Sequence, residues 1–181
     1  MLSQLWSILS RLLSPTTSTP TSSVPSASPA SSQAQSQESS SNPNLTTNFT
    51  LSARSLAKLE GVDERLVAVV KRAIQITSED FAVIEGLRSP ERQAELYAQG
   101  RTKPGQIVTW TMDSPHLHGK AVDLVPYPVD WNDLKRFDAV AHAMFTAAKE
   151  LDTPIRWGAD WDIDGKPREK GESDSPHFEL A

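Results

Sequence analysis

Apolar side chains recur at helical spacing over the first thirteen residues, with serine, glutamine and arginine at the positions between them. Pro15 ends this pattern. A bilayer span needs about 20 residues, so the segment is too short to cross a membrane. Three interpretations stay open: an amphipathic anchor in the membrane surface, a signal-like leader, or a leader that frays or binds a partner. The apolar positions are Leu2, Leu5, Trp6, Leu9, Leu12 and Leu13.

The next segment, residues 14–50, is dominated by serine, threonine and proline and shows no apolar periodicity. Such a composition buries too little surface to offset the entropy lost when a backbone becomes ordered. We therefore expect a disordered linker over 14–50. The chain divides into a leader (1–13), this linker and a folded domain (51–181).

Within 51–181 the pattern alternates between helices and strands. Asp63 is a plausible N-cap for a helix whose apolar face runs from Leu66 to Ile74. Phe81–Leu87 is short and rich in strand-forming residues. Ser89 and Pro90 then provide an N-cap and a first-turn proline for a helix that we expect to end at Gly100.

The second half of the domain adds a long helix and further strands. A helical stripe extends from Trp131 to Leu151 and has the character of a core helix. Together the pattern predicts an α+β fold, a small antiparallel sheet with helices packed on one side. The additional strand candidates are Ile107–Trp110, Gly119–Val125, Ile155–Gly158 and His177–Leu180.

Charge and cysteine content exclude some functions. The formal net charge is −5 and the first fifty residues contain only Arg11 and Glu38 as charged side chains, so the folded part is acidic. An acidic domain does not favour sequence-independent electrostatic binding to the phosphate backbone of nucleic acids, so we expect no nucleic acid partner. The chain has no cysteine, which excludes disulfides and thiolate metal ligands.

One segment carries the strongest chemical signal. His116 and Asp123 lie seven residues apart, Gly119 between them permits a backbone turn, and His177 supplies a second imidazole near the C-terminus. Two histidines and one aspartate form a zinc-binding set that leaves one coordination position for water. Closed structural zinc sites usually recruit four protein ligands, so this set favours a zinc hydrolase.

The ordered motifs resemble the peptidase M15 family, the zinc D-Ala-D-Ala carboxypeptidases and L-alanyl-D-glutamate endopeptidases. The resemblance covers residues 52–181. Within the family, these motifs look like the subfamily that contains phage endolysins, which cut the stem peptide of peptidoglycan between L-Ala and D-Glu. The main pattern is Ser114-x-His116-x-x-Gly119-x-Ala121-x-Asp123 followed by Asp174-x-Pro176-His177, with supporting segments Ser55–Val62, Glu85–Ser89 with Gln93, Gly100–Gly105 and Trp157–Trp161.

This resemblance implies roles for individual residues. His116, Asp123 and His177 correspond to the zinc ligands, and Asp174 to the general base that takes a proton from water and returns it to the leaving amine. Arg88 corresponds to an arginine that stabilises developing negative charge or holds the substrate. Its surface pairing with Glu85 is the alternative.

Two other functions stay open. A D-Ala-D-Ala carboxypeptidase would share the same site and differ in the surrounding cleft. A non-hydrolytic, zinc-stabilised cell-wall binding module, as in the distantly similar hedgehog signalling domain, is disfavoured by Asp174.

Three further features have weaker signals. His118 either contacts a candidate ligand or the substrate or has no role, and His142 is expected to be an ordinary surface or boundary residue. Asp160–Gly165 begins like a calcium-binding EF-hand loop, but position twelve is Gly171 and the glutamate comes one residue late. With Lys166, Arg168 and Lys170 nearby, we expect a solvated loop of mixed charge.

The expected partner is the peptidoglycan stem peptide, and the expected cofactor is Zn²⁺. We expect a monomer that acts in the periplasm or cell wall after synthesis in the bacterial cytoplasm. Export would use release through a holin or delivery by the N-terminal leader, whose residues 1–13 are also the candidate for peripheral membrane contact.

Overall fold

The computed structural model describes residues 47–181, so the leader and most of the linker lie outside the described residues. The domain is α+β, as predicted. Its single described sheet has four strands in the order β1-β2-β4-β3, and every neighbouring pair is antiparallel. The elements are α1 (Ala53–Lys58), α2 (Glu64–Ile76), β1 (Phe81–Glu85), α3 (Pro90–Ala98), a 3₁₀ helix (Pro115–His118), β2 (Ala121–Pro126), α4 (Leu134–Glu150), β3 (Ile155–Trp157) and β4 (His177–Leu180).

Strand alternation gives the sheet two different faces. On one face Val122 lies opposite Phe178, and Phe178 lies opposite Trp157, so three strands contribute one apolar row to the core. The Trp157 and Phe178 rings stack with centroids 6.1 Å apart. The next residues, Asp123 and His177, point the other way because successive side chains alternate. The polar face of β2 and β4 therefore carries the candidate ligands.

The two longest helices cover the apolar face. α4 packs against β2, β3 and α2. α2 begins where predicted, because the Asp63 carboxylate accepts a hydrogen bond from the Arg65 backbone N–H. Its buried side chains are Leu66, Val69, Val70, Ala73 and Ile74, which confirms the predicted apolar face.

Residues 47–50, which the pattern assigns to the linker, contact the folded region. The Thr47 backbone N–H donates to Gln75 O at 2.6 Å, and its hydroxyl donates to Ile74 O at 3.0 Å. Phe49 and Leu51 pack against the core. The packed region thus begins at Thr47 in the described part of the chain.

The prediction of a strand over Ile107–Trp110 is wrong. This segment is irregular and pairs with no strand among residues 47–181. Its β-branched residues have high strand propensity, but Trp110 is 80% exposed and no buried face is formed. The short helix α1 and the 3₁₀ helix were not predicted, because both are too short to show an apolar period.

Candidate metal centre and active site

The three predicted ligands come from two strands and one turn. Asp123 on β2 and His177 on β4 are direct partners in the antiparallel register. His116 lies in the 3₁₀ helix immediately before β2. This helix ends at Gly119, which has a φ of 65°, and a Cβ there would lie 2.3 Å from Gly61 O. A glycine is therefore required for the turn that brings His116 over the sheet.

The donor atoms of these residues form a small, nearly equilateral triangle. His116 Nε2 lies 3.2 Å from His177 Nδ1 and 3.3 Å from Asp123 Oδ1, and the Asp123 Oδ1 to His177 Nδ1 distance is 3.2 Å. Both imidazoles are buried, and the Asp123 side chain is 15% exposed. The structure thus brings together the three predicted ligands, although His116 and His177 are 61 positions apart in the chain.

This triangle has the dimensions of one face of a tetrahedral zinc site. Zinc bonds to nitrogen and oxygen donors of about 2.0–2.1 Å place adjacent donors about 3.3 Å apart at tetrahedral angles. The three residues carry donor atoms within 4.8 Å of one another and contribute two nitrogens and one carboxylate oxygen. The donor set and its spacing both fit zinc.

Each of the two histidines has one ring nitrogen in the triangle and one outside it. The hydrogen-bond partner of the outer nitrogen determines which nitrogen points into the triangle. His116 Nδ1 lies 2.8 Å from Gly86 O, and since a carbonyl only accepts, Nδ1 carries the proton and Nε2 offers its lone pair. Gly86 is closely packed, because a Cβ there would lie 1.9 Å from Lys58 O.

His177 is oriented in the opposite sense by a residue that sequence reasoning missed. Its Nε2 lies 3.1 Å from Glu179 Oε2, which leaves Nδ1 facing Asp123 and His116. Glu179 is 4% exposed and is itself paired with Arg156 on β3. Carboxylates that orient a ligand histidine are common at metal sites. Strand alternation could have indicated Glu179, because it follows His177 by two residues on one strand and such residues share a face of the sheet.

Charge is concentrated in this cluster. Burial alone would raise the pKa of Asp123, but its close contacts with the His116 and His177 imidazoles outweigh burial and hold that pKa well below its usual range. Burial disfavours a charged His177, yet its hydrogen bonds to Asp123 and Glu179 raise the pKa of His177 to about 10. The side chains of the three candidate ligands therefore attract one another strongly.

Asp174 lies beside this cluster in the loop before β4. Its carbonyl accepts a hydrogen bond from the His177 backbone N–H at 3.1 Å, and its own N–H donates to Gly158 O at 3.1 Å. The residue keeps an exposed surface. Surrounding protein atoms and then the negative charge of Asp123 raise the pKa of Asp174 above the usual aspartate range. A carboxyl group with a raised pKa is suited to exchanging protons near neutral pH.

Arg88 is buried next to the cluster and also pairs with Glu85. Its Nε and Nη2 lie 2.9 and 2.6 Å from the two Glu85 oxygens, and Nη1 donates to Gln93 Oε1 at 2.8 Å. The side chain is 9% exposed and Nη2 lies 3.9 Å from Asp123 Oδ2. The fully buried Gln93 is anchored to Thr111 O at 2.6 Å. Arg88 thus pairs with Glu85 and also lies close to the candidate ligands.

The other two histidines do not belong to the cluster. His118 Nε2 lies 2.7 Å from Asp113 Oδ1 and its side chain is 57% exposed, so it points away from the ligands. His142 is exposed on α4, as predicted. Trp161, to which the sequence pattern assigned no individual role, has its ring 5.5 Å from the His177 ring and forms one wall beside it.

Comparisons with known proteins show the family to which the chain belongs. The family model for phage L-alanyl-D-glutamate peptidases matches residues 47–181. An L-alanyl-D-glutamate peptidase of Escherichia phage T5 is 33% identical over 140 residues, which cover 74% of this chain and 99% of the relative. The peptidoglycan L-alanyl-D-glutamate endopeptidase CwlK of Bacillus subtilis is 33% identical over 111 residues, 56% of this chain and 60% of that protein.

A solved structure shows the same architecture. The L-Ala D-Glu endopeptidase ChiX of Serratia marcescens superposes with a TM-score of 0.61 at 33% identity and covers 74% of this chain and 92% of its own. The chain therefore belongs to the phage L-alanyl-D-glutamate peptidase family. This confirms the M15 resemblance that the motifs indicated, and with it a peptidase of the M15 kind.

Proposed function

We propose that the protein is a zinc-dependent endolysin that hydrolyses the L-alanyl-D-glutamate bond in the stem peptide of bacterial peptidoglycan. The observation that carries this proposal is the triangle of donor atoms from His116, Asp123 and His177, with sides of 3.2–3.3 Å. The printed activities of the T5, Bacillus and Serratia relatives support the choice of bond.

His116 Nε2, His177 Nδ1 and the Asp123 carboxylate would hold the ion. When bound, zinc polarises a scissile carbonyl and makes water acidic enough to be deprotonated near neutral pH. Gly86 O and Glu179 keep the two imidazoles in the required tautomers. The protein thereby provides a rigid set of donors whose orientation does not depend on the substrate.

Asp174 is the proposed general base and then acid. Its carboxylate takes a proton from the attacking water and returns it to the α-amino group of D-Glu as the peptide bond breaks. Its raised pKa suits a group that must gain and lose a proton in one cycle. Pro176 restricts the short backbone step to His177, so Asp174 stays near the ligands without joining them.

Arg88 provides the proposed electrostatic support. The guanidinium has its direction fixed by Glu85 and Gln93 and lies 3.9 Å from Asp123. A buried, oriented cation stabilises negative charge that develops in the transition state without having to reorganise. Trp161 lies at the exposed rim of the same region and offers an apolar surface to the peptide.

Mass spectrometry of digested peptidoglycan tests this proposal. We expect new fragments with a free amino terminus on D-Glu, absent when a chelator is present and restored by added zinc. Release of terminal D-Ala instead would establish the carboxypeptidase alternative. Binding to cell walls without release of any peptide would establish the non-hydrolytic module.

The proposed place of action is the cell wall, reached from the bacterial cytoplasm. Over the described range 47–181, no helix combines the length and apolar character that a membrane crossing requires. The leader lies outside that range. Fractionation of cells that express the chain with and without residues 1–43 distinguishes holin release from delivery by the leader.

A further inference from the structure

We propose, on the basis of the proposed peptidase function, that the N-acetylmuramic acid ring of the glycan strand stacks on the exposed indole of Trp110 while the stem peptide is cut. The stem peptide begins at this sugar, because the amino group of L-Ala is joined to the lactyl group of the sugar by an amide bond. The sugar therefore lies within about 7 Å of the L-Ala–D-Glu bond along an extended chain. A protein surface close to the scissile bond on that side is within reach of the sugar.

Trp110 is connected to the candidate active site through a short chain of hydrogen bonds. Arg88 Nη2 lies 3.9 Å from Asp123 Oδ2, and Arg88 Nη1 donates to Gln93 Oε1 at 2.8 Å. Gln93 Nε2 in turn donates to Thr111 O at 2.6 Å. Because Gln93 is fully buried, these bonds fix the backbone next to Trp110 relative to the Arg88 guanidinium.

The segment that carries Trp110 presents apolar side chains to solvent. Ile107 and Thr109 are half-buried, whereas Val108, Trp110 and Met112 are exposed. Clustered apolar side chains on a surface commonly mark a binding site. The composition that led to the wrong strand prediction therefore has another use here, as an apolar surface beside the candidate active site.

The indole of Trp110 belongs to a stack of flat groups that exists without substrate. The Arg101 guanidinium carbon lies 3.9 Å from the centroid of the Tyr97 ring and 5.5 Å from that of Trp110. Arg101 Nη1 also donates to Tyr97 O at 2.6 Å. Gly100 permits the turn into this stack, with a φ of 74° and space for a Cβ only 2.5 Å from Ile107 N. A surface that is already ordered loses less entropy when a ligand binds.

A pyranose ring suits this indole in shape and in charge. One face of the sugar carries mostly C–H groups with slightly positive hydrogens, and the face of an indole is the negative side of its quadrupole. Contact between the two faces buries apolar surface on both, while the polar substituents at the rim of the sugar stay in water. Trp110 is 80% exposed, so its indole has the open surface that such contact requires.

The strand order separates Trp110 from the other indole beside the site. β1 leads to Arg88 at one edge of the sheet and β3 leads to Trp161 at the other, with β2 and β4 between them. Trp161 is 37% exposed, and its ring lies close to both Arg156 and His177. The more exposed Trp110 offers the larger open surface to a sugar, and Trp161 remains the contact for the peptide.

Hydrolysis of two matched substrates by the zinc-loaded, full-length chain tests this contact. One substrate is the disaccharide N-acetylglucosaminyl-N-acetylmuramic acid carrying the tetrapeptide L-Ala–D-Glu–meso-diaminopimelate–D-Ala. The other is the same tetrapeptide with an acetyl group in place of the disaccharide. We expect Trp110→Ala to lower kcat/KM about tenfold on the first substrate and by less than about twofold on the second. Trp110→Phe keeps an aromatic face and should recover most of the loss.

Two further variants separate stacking from general effects on the surface. Arg101→Lys keeps the charge but loses the planar group beside the indole, and it should lower kcat/KM on the disaccharide substrate alone. Leu151→Ala removes an exposed apolar side chain at the end of α4, which packs on the other face of the sheet, and should change neither rate. Thermal unfolding of each variant confirms that it is folded.

A second measurement needs no bond cleavage. The zinc-loaded chain is titrated with the peptide-free disaccharide, and the indole N–H resonances are followed by ¹⁵N NMR. The Trp110 resonance, identified by its loss in Trp110→Phe, should shift. The Trp157 resonance should not, because that indole is buried and donates to Ser175 O at 2.7 Å. If the wild-type chain cuts neither substrate, the proposed peptidase function fails, and this titration still decides whether Trp110 binds the sugar.

An equal loss of kcat/KM on both substrates in Trp110→Ala would overturn the sugar contact. No shift of the Trp110 resonance with millimolar disaccharide would also overturn it. A shift with phosphatidylglycerol vesicles in place of the disaccharide would make this surface a membrane contact.

Discussion

Asp123 Oδ1 and His177 Nδ1 lie 3.2 Å apart because the two residues are direct partners across the antiparallel pair of β2 and β4. A shift of one residue in this register would turn one of the two side chains toward the core. Two of the three proposed ligands are thus positioned by the sheet itself. Only His116 depends on a turn, which Gly119 permits.

The proposed base can be separated from the metal ligands by substitution. Asp174→Asn should lower kcat about 10²-fold or more, because the amide cannot accept the proton from water. Zinc content should not change, since Asp174 is outside the donor triangle. Asp113→Asn, an exposed aspartate paired with His118, is the control and should retain activity. Full activity in Asp174→Asn would remove the assigned base.

Glu179 should act through His177. Glu179→Ala frees the Nε2 position of His177 and should weaken zinc binding about 10- to 100-fold. Glu179→Gln keeps an acceptor for the same N–H and should recover most of the affinity. Competition with a fluorescent chelator gives the zinc Kd, and ¹⁵N NMR of the imidazole reports the tautomer of His177.

The control for Glu179 is Glu79, a partly exposed glutamate that pairs with Arg136 at 2.8 Å away from the cluster. Glu79→Ala removes a comparable ion pair and should leave the zinc Kd unchanged. If Glu179→Ala also binds zinc like the wild type, Glu179 has only a structural role.

Arg88 should not be replaceable by lysine. Lysine keeps the charge but cannot form the paired contact with Glu85 and the bond to Gln93 at once. We expect kcat/KM to fall about tenfold or more in Arg88→Lys. Arg92→Lys alters an exposed arginine paired with Glu95 and should have no measurable effect. Equal rates in the two variants would leave Arg88 without the proposed role.

Gly119 should be sensitive to a single methyl group. Gly119→Ala places a Cβ 2.3 Å from Gly61 O at a φ of 65°, and we expect a loss of about 1–3 kcal/mol in the free energy of unfolding. Gly165→Ala is the matched control, because its φ is 79° but a Cβ there would meet nothing within 4 Å. Urea denaturation measures both, and similar losses would mean that backbone strain alone matters.

The helices and the proposed ligands were accessible from the sequence because each has a local signal. The apolar period of α2 and the capping carboxylate of Asp63 mark one helix. The motif that resembles the M15 family marks His116, Asp123 and His177, whose donor atoms the structure brings together. Strand alternation correctly separates Asp123 from its neighbour Val122, which packs in the core.

The remaining features depend on contacts between distant residues. Ile107–Trp110 has the composition of a strand but finds no strand to pair with in the described domain. The partnership of Arg156 with Glu179 requires the pairing of β3 with β4. The hydrogen bond from the Trp161 backbone N–H to Glu172 depends on how an irregular loop folds back, which spacing along the chain does not specify.

Zinc content of the purified chain, measured by atomic absorption after dialysis, tests the central claim most directly. We expect one zinc per wild-type chain, and His177→Ala and Asp123→Ala should lose it while His142→Ala, an exposed histidine on α4, keeps it. Stoichiometric zinc in folded His177→Ala, or none in the wild-type chain, would contradict the account.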